Sequence, residues 1–204
     1  MNRRAMLPAP RNLVLPLLAA LAACSALPAQ PPLDQAPLAG AAIGGDFALS
    51  GPDGETVRWG DFAGKWRIVY FGFTFCPDIC PTDMSRIAQG LKLYTQREPE
   101  LAANIVPIFI SIDPERDTPA KVGEFVAAFS DKAIGLTGTP ESIKAAADRF
   151  GVYFSKGETT GDGAYLMNHS NIVYLFDPQG EPVAMLPTDQ GGEAVAAELA
   201  KWVR

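Results

Sequence analysis

A nearly unbroken run of apolar, aromatic and β-branched residues at 66–73 leads, two residues later, into Cys76-Pro77-Asp78-Ile79-Cys80-Pro81. Such a run reads as a strand buried on both faces, the kind found in α/β sheets. The segment that follows, 83–96, carries Ile87, Leu91 and Tyr94 at helical spacing. The cysteine pair therefore sits where a buried strand gives way to a helix, an edge that ligand and redox sites favour. Two prolines leave the helix start open. If Pro77 is the first helical residue, Cys76 caps the helix and Pro81 lies inside it. If Pro81 is first, Cys80 is the cap and Cys76 lies in the loop. The second arrangement avoids an interior proline and is the expectation here. Either way a sulfur stands near the positive end of a helix dipole, which favours thiolate.

Two thiols spaced i, i+4 can close a disulfide or hold a soft metal. With a helical turn between them their Cα atoms would lie roughly 6 Å apart, within disulfide range. A purely structural bridge over so short a loop would remove little chain entropy. The chain has three cysteines and one histidine, His169. Two thiolates with a distant neutral imidazole would suit monovalent copper better than zinc, which prefers four ligands. A lone histidine, taken by itself, is more often a packed or surface residue than a ligand. The residues thus pose a choice between a copper site and a redox pair.

The rest of the chain alternates strand and helix signals. Residues 46–49 and 55–59 flank the turn Gly51-Pro52-Asp53-Gly54 and read as a hairpin. Residues 105–112 form a second buried strand, with Pro107 awkward for its centre. Thr118-Pro119 and Thr139-Pro140 each open a helix, the first reaching about 129, the second about 150 with Gly151 as its stop. A strand at 171–176, the turn Asp177-Pro178-Gln179-Gly180, a strand at 182–186 and a helix at 193–203 close the chain. The expectation is an α/β fold: a mixed central sheet with helices on both faces and an N-terminal β-hairpin.

Residues 1–23 read as an export signal, with Arg3, Arg4 and Arg11 ahead of an 11-residue apolar run from Leu13 to Ala23. The run ends Leu21-Ala22-Ala23-Cys24, which resembles a bacterial lipobox and implies lipidation of Cys24. Residues 24–42, rich in Ala and Pro, read as a tether with a reach of roughly 25 Å if coiled. Residues 43–204 form the domain. A chain beginning at Cys24 keeps 14 of the 17 basic residues against 23 acids, so its net charge is −9 rather than −6. With no basic cluster, nucleic acid is excluded as a partner. The expected location is a bacterial membrane, through a lipid anchor, facing the periplasm or another extracytoplasmic, oxidising space.

Three blocks carry a family resemblance: Thr74-Phe75-Cys76-Pro77-Asp78-Ile79-Cys80-Pro81-Thr82, then Ser111-Ile112-Asp113-Pro114-Glu115-Arg116-Asp117-Thr118-Pro119, then Tyr165-Leu166-Met167-Asn168-His169-Ser170 leading into Tyr174-Leu175-Phe176-Asp177-Pro178-Gln179-Gly180. In this order they resemble the Sco/SenC family of copper-binding proteins, from about Asp46 to the end. The resemblance implies a thioredoxin-like fold and copper held by Cys76, Cys80 and His169; the ligand set suits Cu(I), and the Irving–Williams order lets Cu(II) bind as well. It implies a membrane-anchored metallochaperone that helps assemble the dinuclear copper site of cytochrome c oxidase. Its partners would be the oxidase's copper-accepting subunit or another copper chaperone. The family's second attributed role is thiol-disulfide chemistry by Cys76 and Cys80, which would keep the target cysteines reduced.

The chain departs from the pattern at Asn168, where the family often has an acid. Asp78, Asn168 and Asp113 are candidates to adjoin the ligands from outside. Met84 and Met167 are expected in the core, and Asp113, Arg116 and Asp117 to hold the loop after the second buried strand. A thiol peroxidase reading fails on the residues before Cys76, where that motif's Thr and Pro positions hold Phe73 and Val69.

Overall fold

The computed structural model describes Met1, residues 30–161 and residues 163–204. The export signal beyond Met1, and Cys24, lie outside the described residues. Strands β1 (Ala48–Ser50) and β2 (Thr56–Arg58) form the expected hairpin, with Leu49 opposite Val57. Then follow β3 (Trp66–Gly72), α1 (Ile79–Arg97), α2 (Pro99–Ala102), β4 (Ile105–Ser111), α3 (Pro119–Ala127), β5 (Ile134–Leu136) and α4 (Pro140–Arg149). The chain closes with β6 (Phe154–Lys156), β7 (Met167–His169), β8 (Val173–Phe176), β9 (Pro182–Met185) and α5 (Gly192–Trp202).

The central sheet runs β5-β4-β3-β8-β9, parallel across β5, β4 and β3 and antiparallel from β3 to β8 and β8 to β9. Every residue of β3 and β8 is buried, so both faces of the sheet are covered, as the apolar run required. Thr118 and Thr139 cap α3 and α4, accepting from the backbone N–H of Lys121 and Ser142. Pro107 is tolerated because β5 pairs only with Ile108–Ile110; at Pro107 one flank of β4 is open. Trp59 packs edge-on against Phe150 and Phe176 at 5.5 and 5.2 Å between ring centres, fixing the β1–β2 hairpin to the sheet. Each ring buried there contributes on the order of 2–3 kcal/mol.

The tether expected at 24–42 is corrected over its described part. From Gln30 onward it lies against the domain. The Gln30 side chain donates to the carbonyls of Ala200 and Val203, the Leu38 N–H donates to the Val183 carbonyl, and Ala36 is buried. Leu33, Leu38 and Ile43 pack on the core, which gives this Ala/Pro segment enough apolar contact to settle.

Helices α1 and α5 touch at Gly90, where a Cβ would stand 2.6 Å from Val195 Cβ and 3.0 Å from the Gly192 carbonyl. A glycine inside a helix ordinarily costs stability relative to alanine. Here the order reverses. Gly90→Ala is expected to lower stability by about 1–3 kcal/mol through overpacking, read as a lower melting temperature.

Candidate metal centre

The cysteine loop leaves the carboxyl end of β3. The Ile112 N–H donates to the Gly72 carbonyl (2.8 Å), keeping β3 and β4 together to their last residues. The Cys76 N–H then closes a turn onto the Phe73 carbonyl (3.3 Å). Helix α1 starts earlier than expected, with Asp78 as its N-cap and Ile79 first. Cys80 is therefore the second helical residue, not the cap, and Pro81 the third. The placement costs little because the first-turn amides have no intrahelical partner; the ladder begins with the Thr82 N–H on the Asp78 carbonyl (3.2 Å).

His169 reaches the cysteines through sheet topology. Strand β8 runs antiparallel to β3 with Val173 opposite Tyr70, so residues just before Val173 lie beyond Tyr70, where the cysteine loop begins. His169 is the last residue of β7, paired with Phe154 of β6. Its Nε2 stands 3.7 Å from Cys80 Sγ. Its Nδ1 is 3.0 Å from the Ser170 carbonyl, which can only accept. That contact assigns the proton to Nδ1 and leaves the Nε2 lone pair facing the sulfur. Tyr70 and Phe73 hold the ring edge-on, at 6.4 and 6.0 Å between centres. Cys76 Sγ accepts the Cys80 N–H (3.3 Å), so it is the Cys76 sulfur that sits over the helix N-terminus. Gly72 lets Cys80 Sγ lie against β3: a Cβ there would be 3.1 Å from it and 2.8 Å from Phe109 Cε2.

Cys76 and Cys80 are free, and Cys76 and His169 each adjoin Cys80. Among the described residues no three His, Cys, Asp or Glu side chains form a closed metal cluster. The donor chemistry nonetheless fits a soft cation: two sulfurs and an imidazole lone pair gathered around Cys80. The expected bias to thiolate is corrected for Cys80. Burial pushes its thiol up to about 12, and the interaction with Cys76 adds to that, so desolvation outweighs the helix end. Burial likewise lowers His169, against opposing contributions from the Ser170 carbonyl and Asp83, so the imidazole stays neutral.

Exposure separates the two thiols. Cys76 is 9% exposed and Cys80 0%. Near pH 8, iodoacetamide is expected to modify Cys76 at least about tenfold faster than Cys80, because only a trace of Cys80 is thiolate. The gap should narrow as pH rises toward 12. Mass spectrometry of timed samples reads both rates, and equal rates at pH 8 would contradict this account of the pocket.

The loop after β4 ties the two halves of the site together. Asp117, buried, accepts from the Thr74 N–H (2.9 Å), Thr74 Oγ1 (2.5 Å) and Ser111 Oγ (2.6 Å). Asp113 pairs with Arg116 (2.6 Å) and accepts from the Tyr165 hydroxyl (2.8 Å), four residues before His169. The Arg116 guanidinium lies over the rings of Tyr165 (3.6 Å) and Phe75 (4.7 Å). Asp113 therefore reaches the His169 hairpin through Tyr165. Asp78 is exposed and makes no capping bond with its side chain. Asn168 is exposed and, by strand alternation, faces away from the His169 side. Met84 is buried in the core and Met167 packs against it. Sequence reasoning missed Tyr70, Gly72 and Asp83. Asp83 carried a usable signal, since it heads the stripe continued by Ile87, Leu91 and Tyr94.

A model of the SCO1/SenC family matches residues 35–204. The chain belongs to the SCO1/SenC family. Among its relatives, the mitochondrial SCO1 homolog 1 of Arabidopsis thaliana is 46% identical over 171 residues, 83% of this chain and 50% of that protein. The chain thus spans about half the length of the curated relatives it matches. Two solved SCO1/SenC structures superpose closely. ScoI of Arabidopsis thaliana with copper bound is 41% identical with a TM-score of 0.73, over 78% of this chain and 97% of that one. ScoI of Bradyrhizobium japonicum with copper bound is 36% identical with a TM-score of 0.71, over 79% of this chain and 100% of that one. The mixed sheet and its helices are the thioredoxin-like fold of this SCO1/SenC family. Among the described residues no helix is long and apolar enough to cross a membrane.

Proposed function

We propose that this chain is a membrane-anchored, extracytoplasmic copper metallochaperone, held by a lipid on Cys24, that supplies the dinuclear copper site of cytochrome c oxidase. The observation that carries the reading is the His169 Nε2 lone pair 3.7 Å from Cys80 Sγ, with Cys76 Sγ on the neighbouring turn. Copper is the cargo. Cys76 and Cys80 give it two thiolates and His169 a neutral nitrogen, a set too small for zinc's usual four and suited to Cu(I). Cu(II) also binds such donors strongly, being the high point of the divalent series. Loading releases the Cys80 proton, so uptake strengthens as pH rises. Cys76, nearer the surface than Cys80, is the sulfur an acceptor thiol reaches first. Transfer then proceeds by ligand exchange, the acceptor's sulfurs replacing these in turn.

The second reading is a thiol-disulfide oxidoreductase that keeps the acceptor's cysteines reduced. The two free, adjacent thiols favour it. It does not need His169. An anaerobic Cu(I) titration of the reduced protein against a competing chelator separates the two. The chaperone reading predicts one tightly bound Cu(I), weakened at least about tenfold in His169→Ala. Weak binding, equal in both proteins, would contradict it. Disulfide-reductase turnover that survives His169→Ala would then favour the second reading.

A further inference from the structure

Asp83 is fully buried on α1, and neither of its carboxylate oxygens has a hydrogen-bond partner. Among the described residues it has no ion pair. Three-residue helical spacing places it on the same face as Cys80. Asp83 and Cys80 both act on the Tyr70 phenol, and Asp83 also acts on His169. The carboxylate thus lies beside the Tyr70 phenol at the edge of the thiol–imidazole site, but that hydroxyl donates to Asn171 (3.1 Å) and leaves both Asp83 oxygens without a partner. An unpartnered buried carboxylate is costly, and a leucine at the head of this apolar stripe would remove the cost.

We propose that Asp83 sets the oxidation-state preference of the copper pocket, favouring the divalent over the monovalent ion. The inference rests on the copper reading above. Two thiolates already neutralise a divalent ion and overcompensate a monovalent one. A further negative charge acts on each ion in proportion to that ion's charge. Neutralising Asp83 therefore weakens Cu(II) by about the square of the factor by which it weakens Cu(I). A residue that only supported the fold would weaken both ions by the same factor.

The test measures Cu(I) affinity by chelator competition, and the reduction potential of the bound copper, in the reduced chain. Wild type is compared with Asp83→Asn and Asp83→Leu, and melting curves without copper run beside them. Asp83→Leu relieves the buried carboxylate and is expected to melt no lower than wild type, which keeps a neutral variant available if the amide misfolds. The expected result is a Cu(I) affinity about tenfold lower and a Cu(II) affinity about a hundredfold lower. The tenfold change in their ratio raises the one-electron potential by about 59 mV. An unchanged potential, or equal losses for the two ions, would overturn the proposal. A wild-type chain that binds no copper would overturn the copper reading itself, a result distinct from wild type and variants binding copper with the same preference.

Discussion

Cys80→Ala is expected to bind Cu(I) more than about a hundredfold more weakly than wild type while keeping its fold. Loss of a partner outside the ligand set commonly costs a metal site ten- to a hundredfold, so loss of a direct sulfur ligand costs more. The Cys80 sulfur is buried between Gly72, Phe109 and His169, and no other described thiol besides Cys76 could replace it. The structural cost is small. Removing one buried sulfur leaves a cavity worth about 1 kcal/mol, and the remaining methyl still fits against Gly72. Chelator competition and a melting curve on the same sample separate the two effects. Stoichiometric, tight copper in Cys80→Ala would contradict the site; a collapsed melting temperature would contradict the packing argument.

Asp117→Ala is expected to be the most destabilising single change around the site, by about 3–4 kcal/mol, since it strands buried donors. Its carboxylate collects the Thr74 N–H, Thr74 Oγ1 and Ser111 Oγ. Ser111 cannot turn away without a further loss, because its Oγ also accepts the Asp113 N–H (3.1 Å). Thr74 opens the loop that carries Cys76, so the same change should loosen that loop and speed Cys76 alkylation. Denaturant unfolding gives the first number and alkylation kinetics the second. A loss below about 1 kcal/mol with unchanged Cys76 reactivity would mean that Asp117 merely caps a loop.

Much of this fold follows from local chemistry. Trp66–Gly72 is buried on both faces because its sequence has almost no polar side to turn outward, and Thr118 and Thr139 cap their helices because each precedes a proline in the first turn. Three of the short elements were not legible. β5, β6 and β7 have three residues each, too few for a period-two pattern, and β7 is where His169 sits. Its approach to Cys80, 89 residues away, follows from β8 lying antiparallel against β3, a tertiary fact. The N-terminal segment from Gln30 looked free because its contacts, to Ala200, Val203 and Val183, lie at the far end of the chain. The raised Cys80 thiol is illegible for a related reason: a helix start is visible in sequence, but the depth of burial is not. The family blocks single out Cys76, Cys80 and His169 together as candidates, whereas Asp83 is visible only as an acid in an apolar stripe.

The most direct test of the three-donor copper site is X-ray absorption at the copper edge of the Cu(I)-loaded, reduced protein. The account predicts two sulfur neighbours and one imidazole nitrogen around each copper, with the imidazole signal lost in His169→Ala. A sulfur-only shell, or a wild-type spectrum indistinguishable from that of His169→Ala, would contradict it.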